Sequence, residues 1–180
     1  MSGLIPAFLS ITIVLIFIFM KILFIQTGGT IDKDYPRSSG GYAFEFGEPA
    51  VARILDRLNP SFEYEIVTAC QKDSLDIDDI DRKKLAEMIC NSGYERIIIT
   101  HGTDTMNDTA RFIDSAVSDK VIVITGAIRP ERFKNSDADI NLGAAVAAVE
   151  LLDKGIYIAM HGIIKDYKII SRDLNSGQYY

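Results

Sequence analysis

Short aliphatic runs that end in small polar residues constrain this chain more than any other feature. Residues 21–26 (KILFIQ) lead into Thr27-Gly28-Gly29-Thr30, Arg96–Thr100 (RIIIT) into His101-Gly102-Thr103-Asp104, and residues 120–125 into Gly126-Ala127. Residues 63–69 and 156–160 read as two more strands. Continuous apolar runs without alternation belong to parallel strands covered on both faces. Between them lie stretches of helical spacing. After Pro49, which suits a first helical position, Val51, Ile54, Leu55 and Leu58 form one face, stopped by Asn59-Pro60. Asp76, Asp78 and Asp79 favour the start of a helix carrying Leu85, Met88 and Ile89 and ending near Gly93. Met106, Ala110, Ile113 and Val117 predict a third helix. Ile140, Ala144, Ala148 and Leu151 predict a fourth, capped by Asp137 or Asp139 and closed by Gly155 as a C′ glycine. The remainder reads as a short hairpin or tail. Strand alternating with helix predicts an α/β fold, a parallel sheet flanked by helices on both faces. Such sheets bind ligands at the carboxyl ends of their strands, where TGGT, THGTD and TGA would converge.

A chain of 180 residues fits one such domain. Its net charge of −6, with basic residues scattered, argues against a nucleic-acid partner. Cys70 and Cys90 lack metal spacing, and with only two histidines no metal site is expected; the cysteines read as reduced thiols. Residues 4–20 are almost wholly apolar. A signal peptide would need a basic start and small residues before its cleavage point, and neither is present. A membrane anchor needs about 20 apolar residues, so this run barely suffices. The reading adopted is that Met20 initiates a cytoplasmic chain, which makes 1–19 an extraneous apolar segment and 20–180 the domain. A membrane anchor through residues 4–20 is the alternative, and membrane contact is expected only if 1–19 are retained.

Two glycines after a buried strand permit a tight turn and close backbone approach to a ligand. In Thr27-Gly28-Gly29-Thr30 they are flanked by hydroxyls. A dinucleotide site would require a third glycine and a prompt helix, and a phosphate loop a GK[ST] ending; both are missing. Alone, the segment also fits a plain turn. Thr103 and Asp104 fit a helix cap, and equally a site for an amino-acid ammonium beside an activated hydroxyl. His101 reads as a satisfied core or turn histidine. Residues 31–47, polar, glycine-rich and aromatic, read as a mobile loop or β-flap of the kind that is usually functional.

Taken together, TGGTI at 27–31, DSLDIDD at 73–79, THGTDTM at 100–106, TGAIRP at 125–130 and NSDADINL at 135–142 resemble the asparaginase family, in the family's order. The likeness is to a short, single-domain form lacking the C-terminal domain, and it implies the Rossmann-like N-terminal fold of that family. By that resemblance the chain is an amidohydrolase that converts L-asparagine to L-aspartate and ammonia through an acyl-threonine, with minor glutaminase activity. Thr30 matches the nucleophile and Tyr35 its activating tyrosine. Thr103 and Asp104 match the second catalytic threonine and its carboxylate. Ser74 matches a ligand of the substrate's α-carboxylate, Asp104 would hold the α-ammonium, and Ala127 offers its carbonyl to the amide. Backbone N–H groups around Gly29, and around Gly102 and Thr103, would stabilise the oxyanion. The resemblance implies no metal or organic cofactor, and a homo-oligomer as the working form.

One departure stands out. The family places a lysine about twelve residues beyond the methionine that ends the fifth strand. Counting from Met160 lands on Arg172, with Lys165 and Lys168 nearby but out of register. A guanidinium does not serve as a base. A catalytically weakened amino-acid-binding protein therefore stands as one alternative to the hydrolase; a second, of the same fold, is an amide-hydrolysing subunit of a tRNA-dependent amidotransferase.

Overall fold

The computed structural model describes residues 20–36 and 44–180. The expectations for residues 1–19, and for the part of the flap at 37–43, lie outside the described residues.

Six strands form one sheet in the order β4-β1-β5-β6-β7-β8. They are β1 (Lys21–Gly28), β4 (Glu63–Lys72), β5 (Arg96–Thr100), β6 (Val121–Thr125), β7 (Gly155–Met160) and β8 (Ile163–Asp166). The first five pair in parallel, as the apolar runs require, whereas β8 returns antiparallel to β7. The sheet is therefore mixed rather than wholly parallel. His161 and Gly162 make that reversal with φ of 52° and 79°, the positive values a type I′ hairpin turn requires at both positions. A small antiparallel ribbon, β2 (Lys33–Asp34) with β3 (Glu45–Phe46), forms the base of the expected flap.

Successive strand residues point to opposite faces, and the core divides accordingly. Leu23, Ile25, Ile97, Ile99, Ile122 and Ile124 face helices α2 (Asp79–Asn91) and α3 (Met106–Asp114). Ile22, Phe24, Ile98, Val121 and Val123 face α1 (Ala50–Leu58) and α4 (Ala138–Leu151). Burying each such side chain contributes about 1.5–3 kcal/mol, so β1 and β5, apolar on both faces, anchor the whole sheet.

Several local expectations are corrected. Leu58 is exposed, because α1 ends there and Asn59 turns into the left-handed region. Val117 is buried but lies beyond α3. On α4 the buried stripe is Ala138, Asn141, Leu142, Ala145, Ala148 and Val149, while Ile140 and Leu151 are 70% and 81% exposed. That helix is apolar nearly all round, so spacing alone did not fix its phase. Gly155 opens β7 rather than closing α4, whose last turn ends at Leu152 in an extended conformation. Asp78 caps α2 in a reciprocal box with Asp81, but the carboxylate of Asp137 does not cap α4. It accepts instead from the backbone N–H groups of Ile128 and Arg129. Cys70 and Cys90 are free thiols.

Candidate active site

From β1 the chain crosses to β4 on one side and then to β5 on the other. The carboxyl ends of β1 and β5 therefore flank a topological switch point, where an open α/β sheet leaves a crevice. The convergence of TGGT, THGTD and TGA falls there, on three neighbouring strands.

Backbone packing explains the glycines. A Cβ on Gly29 would lie 2.3 Å from the nitrogen of Gly102. One on Gly28 would meet the carbonyl oxygen of Lys72 at 2.4 Å, and one on Gly126 that of His101 at 2.3 Å. No side chain fits at such separations, so the three strand ends touch through main chain. Buried threonines stitch the same level: Thr27 Oγ1 donates to the carbonyl of Thr100 at 2.8 Å, and Thr125 Oγ1 to that of Ala159 at 2.8 Å. Gly29 leads into a 3-10 turn, Thr30–Asp32, whose first residue, Thr30, is half-buried.

Beyond the end of β5, Arg172 Nη1 donates to Asp104 Oδ1 at 3.0 Å and to Thr103 Oγ1 at 3.3 Å. Arg172 lies over the ring of Tyr179, and the two residues pair as an isolated β-bridge. The Tyr179 hydroxyl reaches the carbonyl of Thr103 at 3.4 Å. Burial pushes the Tyr179 phenol up to about 12, which keeps it a neutral donor. Lys168 is engaged elsewhere, 3.0 Å from Asp114 Oδ2. The cation at Thr103 and Asp104 is thus the arginine. Ser74 sits in a second 3-10 turn, Ser74–Asp76, buried against Gly102, where a Cβ would lie 2.7 Å from its Oγ. The Ser74 hydroxyl has no hydrogen-bond partner among the described residues. The neighbouring Asp73 binds Lys33 Nζ at 2.8 Å, and that ammonium holds the Asp73 carboxyl below the usual range.

Ala127 is buried next to Gly126, whose carbonyl accepts from Asn141 Nδ2 at 2.9 Å. Asn141 also bonds Asp137 and takes the backbone N–H of His161. It therefore clamps β6, α4 and the β7 turn at one point. Sequence reasoning quoted its motif without giving it a task. The loop 128–137 braces the ribbon: Arg132 binds Asp34 at 3.0 Å, and Phe133 packs on Tyr35 and Phe44 with ring centres 6.2 and 5.8 Å away. Arg129 bonds within the loop to the carbonyl of Asn135. Tyr35 stands apart from the strand ends, 67% exposed within this aromatic group. His101 is fully buried, with Nδ1 on the carbonyl of Gly102 and Nε2 on Thr109, and burial pushes it down to about 4. It is the satisfied turn histidine the sequence implied. Asp32, which sequence reasoning missed, is also fully buried, and desolvation raises its carboxyl to about 6.

The family model for the asparaginase N-terminal domain matches residues 21–170. The chain belongs to the asparaginase family. Along 86% of its length it is 28% identical to the glutaminase-asparaginase of Acinetobacter glutaminasificans, covering 50% of that protein. A shorter stretch, 42% of the chain, is 45% identical to a glutamyl-tRNA(Gln) amidotransferase subunit of Methanococcus vannielii, covering 18% of it. Among solved structures, the probable cytoplasmic L-asparaginase from Campylobacter jejuni superposes with a TM-score of 0.73 at 28% identity, over 89% of this chain and 52% of that one. The asparaginase relatives that match most of the chain are about twice its length.

Proposed function

We propose that the chain hydrolyses the side-chain amide of L-asparagine, with glutamine as a minor substrate, using Thr30 as nucleophile. The observation that supports this reading is the close approach of Gly29 to Gly102, each next in sequence to a proposed catalytic threonine, Thr30 and Thr103. The Thr30 hydroxyl attacks the amide carbon while its proton passes through Tyr35 to the departing nitrogen, so ammonia leaves and an ester remains. Water then cleaves the ester to aspartate and free Thr30. Backbone N–H groups around Gly29, Gly102 and Thr103 would stabilise the oxyanion, each contributing about 3–4 kcal/mol in well-ordered hydrolases. The unpartnered Ser74 hydroxyl suits the α-carboxylate, the exposed side of Asp104 the α-ammonium, and the Ala127 carbonyl the amide nitrogen. Arg172 orients Asp104 and Thr103 without acting as a base. In this proposal Tyr35 moves inward when substrate binds and helps to exclude water.

Residues 20–180 form the catalytic unit in this proposal, working in the cytoplasm as a homo-oligomer whose partner copy completes the site. The description of the Campylobacter neighbour as cytoplasmic supports the cytoplasmic reading. Ammonia release from asparagine and glutamine tests the activity, and Thr30→Ala should abolish it with folding unchanged. Full turnover by Thr30→Ala refutes the nucleophile. A second reading, an amino-acid-binding protein with weakened turnover, draws on the count from Met160 that reaches Arg172 where the family has a lysine; it predicts aspartate binding with little ammonia release.

A further inference from the structure

We propose that Asp32 is a positioning residue for the nucleophile turn, its carboxylate tying the turn that starts at Thr30 to the first turn of α1 and to the end of β5. This rests on the reading of Thr30 as nucleophile. The Asp32 side chain is fully buried. Its Oδ1 accepts from the backbone N–H of Ala50 at 2.7 Å, and its Oδ2 from the Thr100 hydroxyl at 3.4 Å. Its own N–H closes the turn on the carbonyl of Gly29 at 3.2 Å, and its carbonyl accepts from Gly47 beside β3 at 3.0 Å. One residue thus joins the nucleophile turn, the ribbon, α1 and β5.

The arrangement is expensive for a helix cap. The first turn of α1 follows Pro49, which supplies no side-chain cap, although a serine or aspartate there would satisfy the helix from solvent. The fold caps α2 in that local way through Asp78. For α1 it buries a carboxylate drawn from eighteen residues upstream, against desolvation that disfavours the charge. What a local cap could not do is fix the turn two residues from Thr30. The charged group facing Asp32 from α1 is Arg53, itself held by Glu131 of the 128–137 loop at 2.6 Å. From β1 and β5 the facing groups, Gln26 and Thr100, are uncharged. The carboxylate is therefore fixed by directed hydrogen bonds more than by an ion pair of its own.

Asp32→Ala, Asp32→Asn and the control Asp78→Ala test this. Asp32→Ala should lower kcat per folded molecule about 100-fold, the scale of a misplacement near 1 Å, with KM within about threefold. Asp32→Asn should recover to within about tenfold, because its amide oxygen still accepts from Ala50 and its NH2 can face the Thr100 oxygen. Asp78→Ala removes a local cap and should leave kcat unchanged. Wild-type kcat in Asp32→Ala, or no recovery in Asp32→Asn, overturns the proposal. The NMR signal of the Thr30 methyl gives a readout that needs no turnover: it should shift in Asp32→Ala and return in Asp32→Asn. If Thr30 proves not to be the nucleophile, that signal still decides whether Asp32 holds the turn. Should Asp32→Ala fail to fold, Thr100→Val removes the β5 donor alone; a displaced Thr30 methyl then supports the tie, and an unmoved one overturns it.

Discussion

Arg172 offers the sharpest test of the second half of the site. Its Nη1 serves Asp104 at 3.0 Å and Thr103 at 3.3 Å, with side-chain exposures of 22% for Arg172 and 49% for Asp104. A shielded charge-assisted hydrogen bond contributes about 1.5–3 kcal/mol, and an exposed ion pair about 1 kcal/mol or less. The half-exposed Asp104 places this pair between those limits, at about 1–2 kcal/mol. Arg172→Ala should therefore lower kcat/KM about 5- to 30-fold. Arg172→Lys loses the fixed guanidinium geometry but gains a group that burial can render neutral and basic. General-base assistance is worth at least about 100-fold, so even after losing one hydrogen bond the lysine variant should turn over about tenfold faster than wild type.

Initial rates of ammonia release, measured for both variants across a range of asparagine concentrations, separate the contributions to kcat and KM. Lys168→Ala completes the set. That ammonium is held by Asp114 on another part of the surface, so its removal should leave rates unchanged. If Arg172→Lys loses as much as Arg172→Ala, the arginine is itself the competent group and the reasoning from its fixed charge fails. If Lys168→Ala is the damaging change, the residue register at the site is wrong.

Tyr35→Phe keeps the ring that packs on Phe44 and Phe133 and removes only the hydroxyl; kcat should fall at least about 100-fold while calorimetric affinity for aspartate stays within about threefold, and the opposite pattern would make Tyr35 a binding residue. The Asp32 carboxyl, raised to about 6 from an ordinary 3.8, gives a pH test of stability. The folded state holds this proton more tightly than the unfolded one, so its contribution is present below about pH 4 and is lost as pH rises through 6, about 3 kcal/mol in all. Asparagine does not titrate, so urea unfolding should show Asp32→Asn gaining on wild type between pH 4.5 and 7.5; a constant difference would mean that Asp32 is not desolvated.

Much of the fold was legible because β1, β5 and β6 are apolar on both faces. A run such as RIIIT has no exposed side to contradict it, and the small polar residues that follow mark where each strand leaves the core. The same logic failed on α4, where alanines and aliphatics surround the helix and no polar face fixes its rotation. There Asn141 was the informative residue: its buried amide bonds the carbonyl of Gly126 and the N–H of His161, and a polar side chain on the inner face sets the phase that Ile140 and Leu151 misreport. The antiparallel return of β8 was only loosely legible, because the hairpin depends on His161 adopting positive φ, a conformation its residue type does not announce.

The site divides along a similar line. Gly29, Gly102 and Ser74, which pack together, were legible with their neighbours Thr30 and Thr103 because short contiguous motifs at strand ends carry them. Tyr179 and Asp32 were not. Tyr179 reaches Thr103 from the end of the tail, through a bridge to Arg172 that no local pattern encodes. Asp32 sits in plain view beside TGGTI, yet an aspartate after a turn usually faces water. Only the packing of α1 and β5 around it shows that the charge is buried. A carboxylate that a fold keeps desolvated, when an exposed cap would have served the helix, is best explained by the residue to which it is joined. Here that residue is two positions away, at the start of the turn on which the proposed chemistry depends.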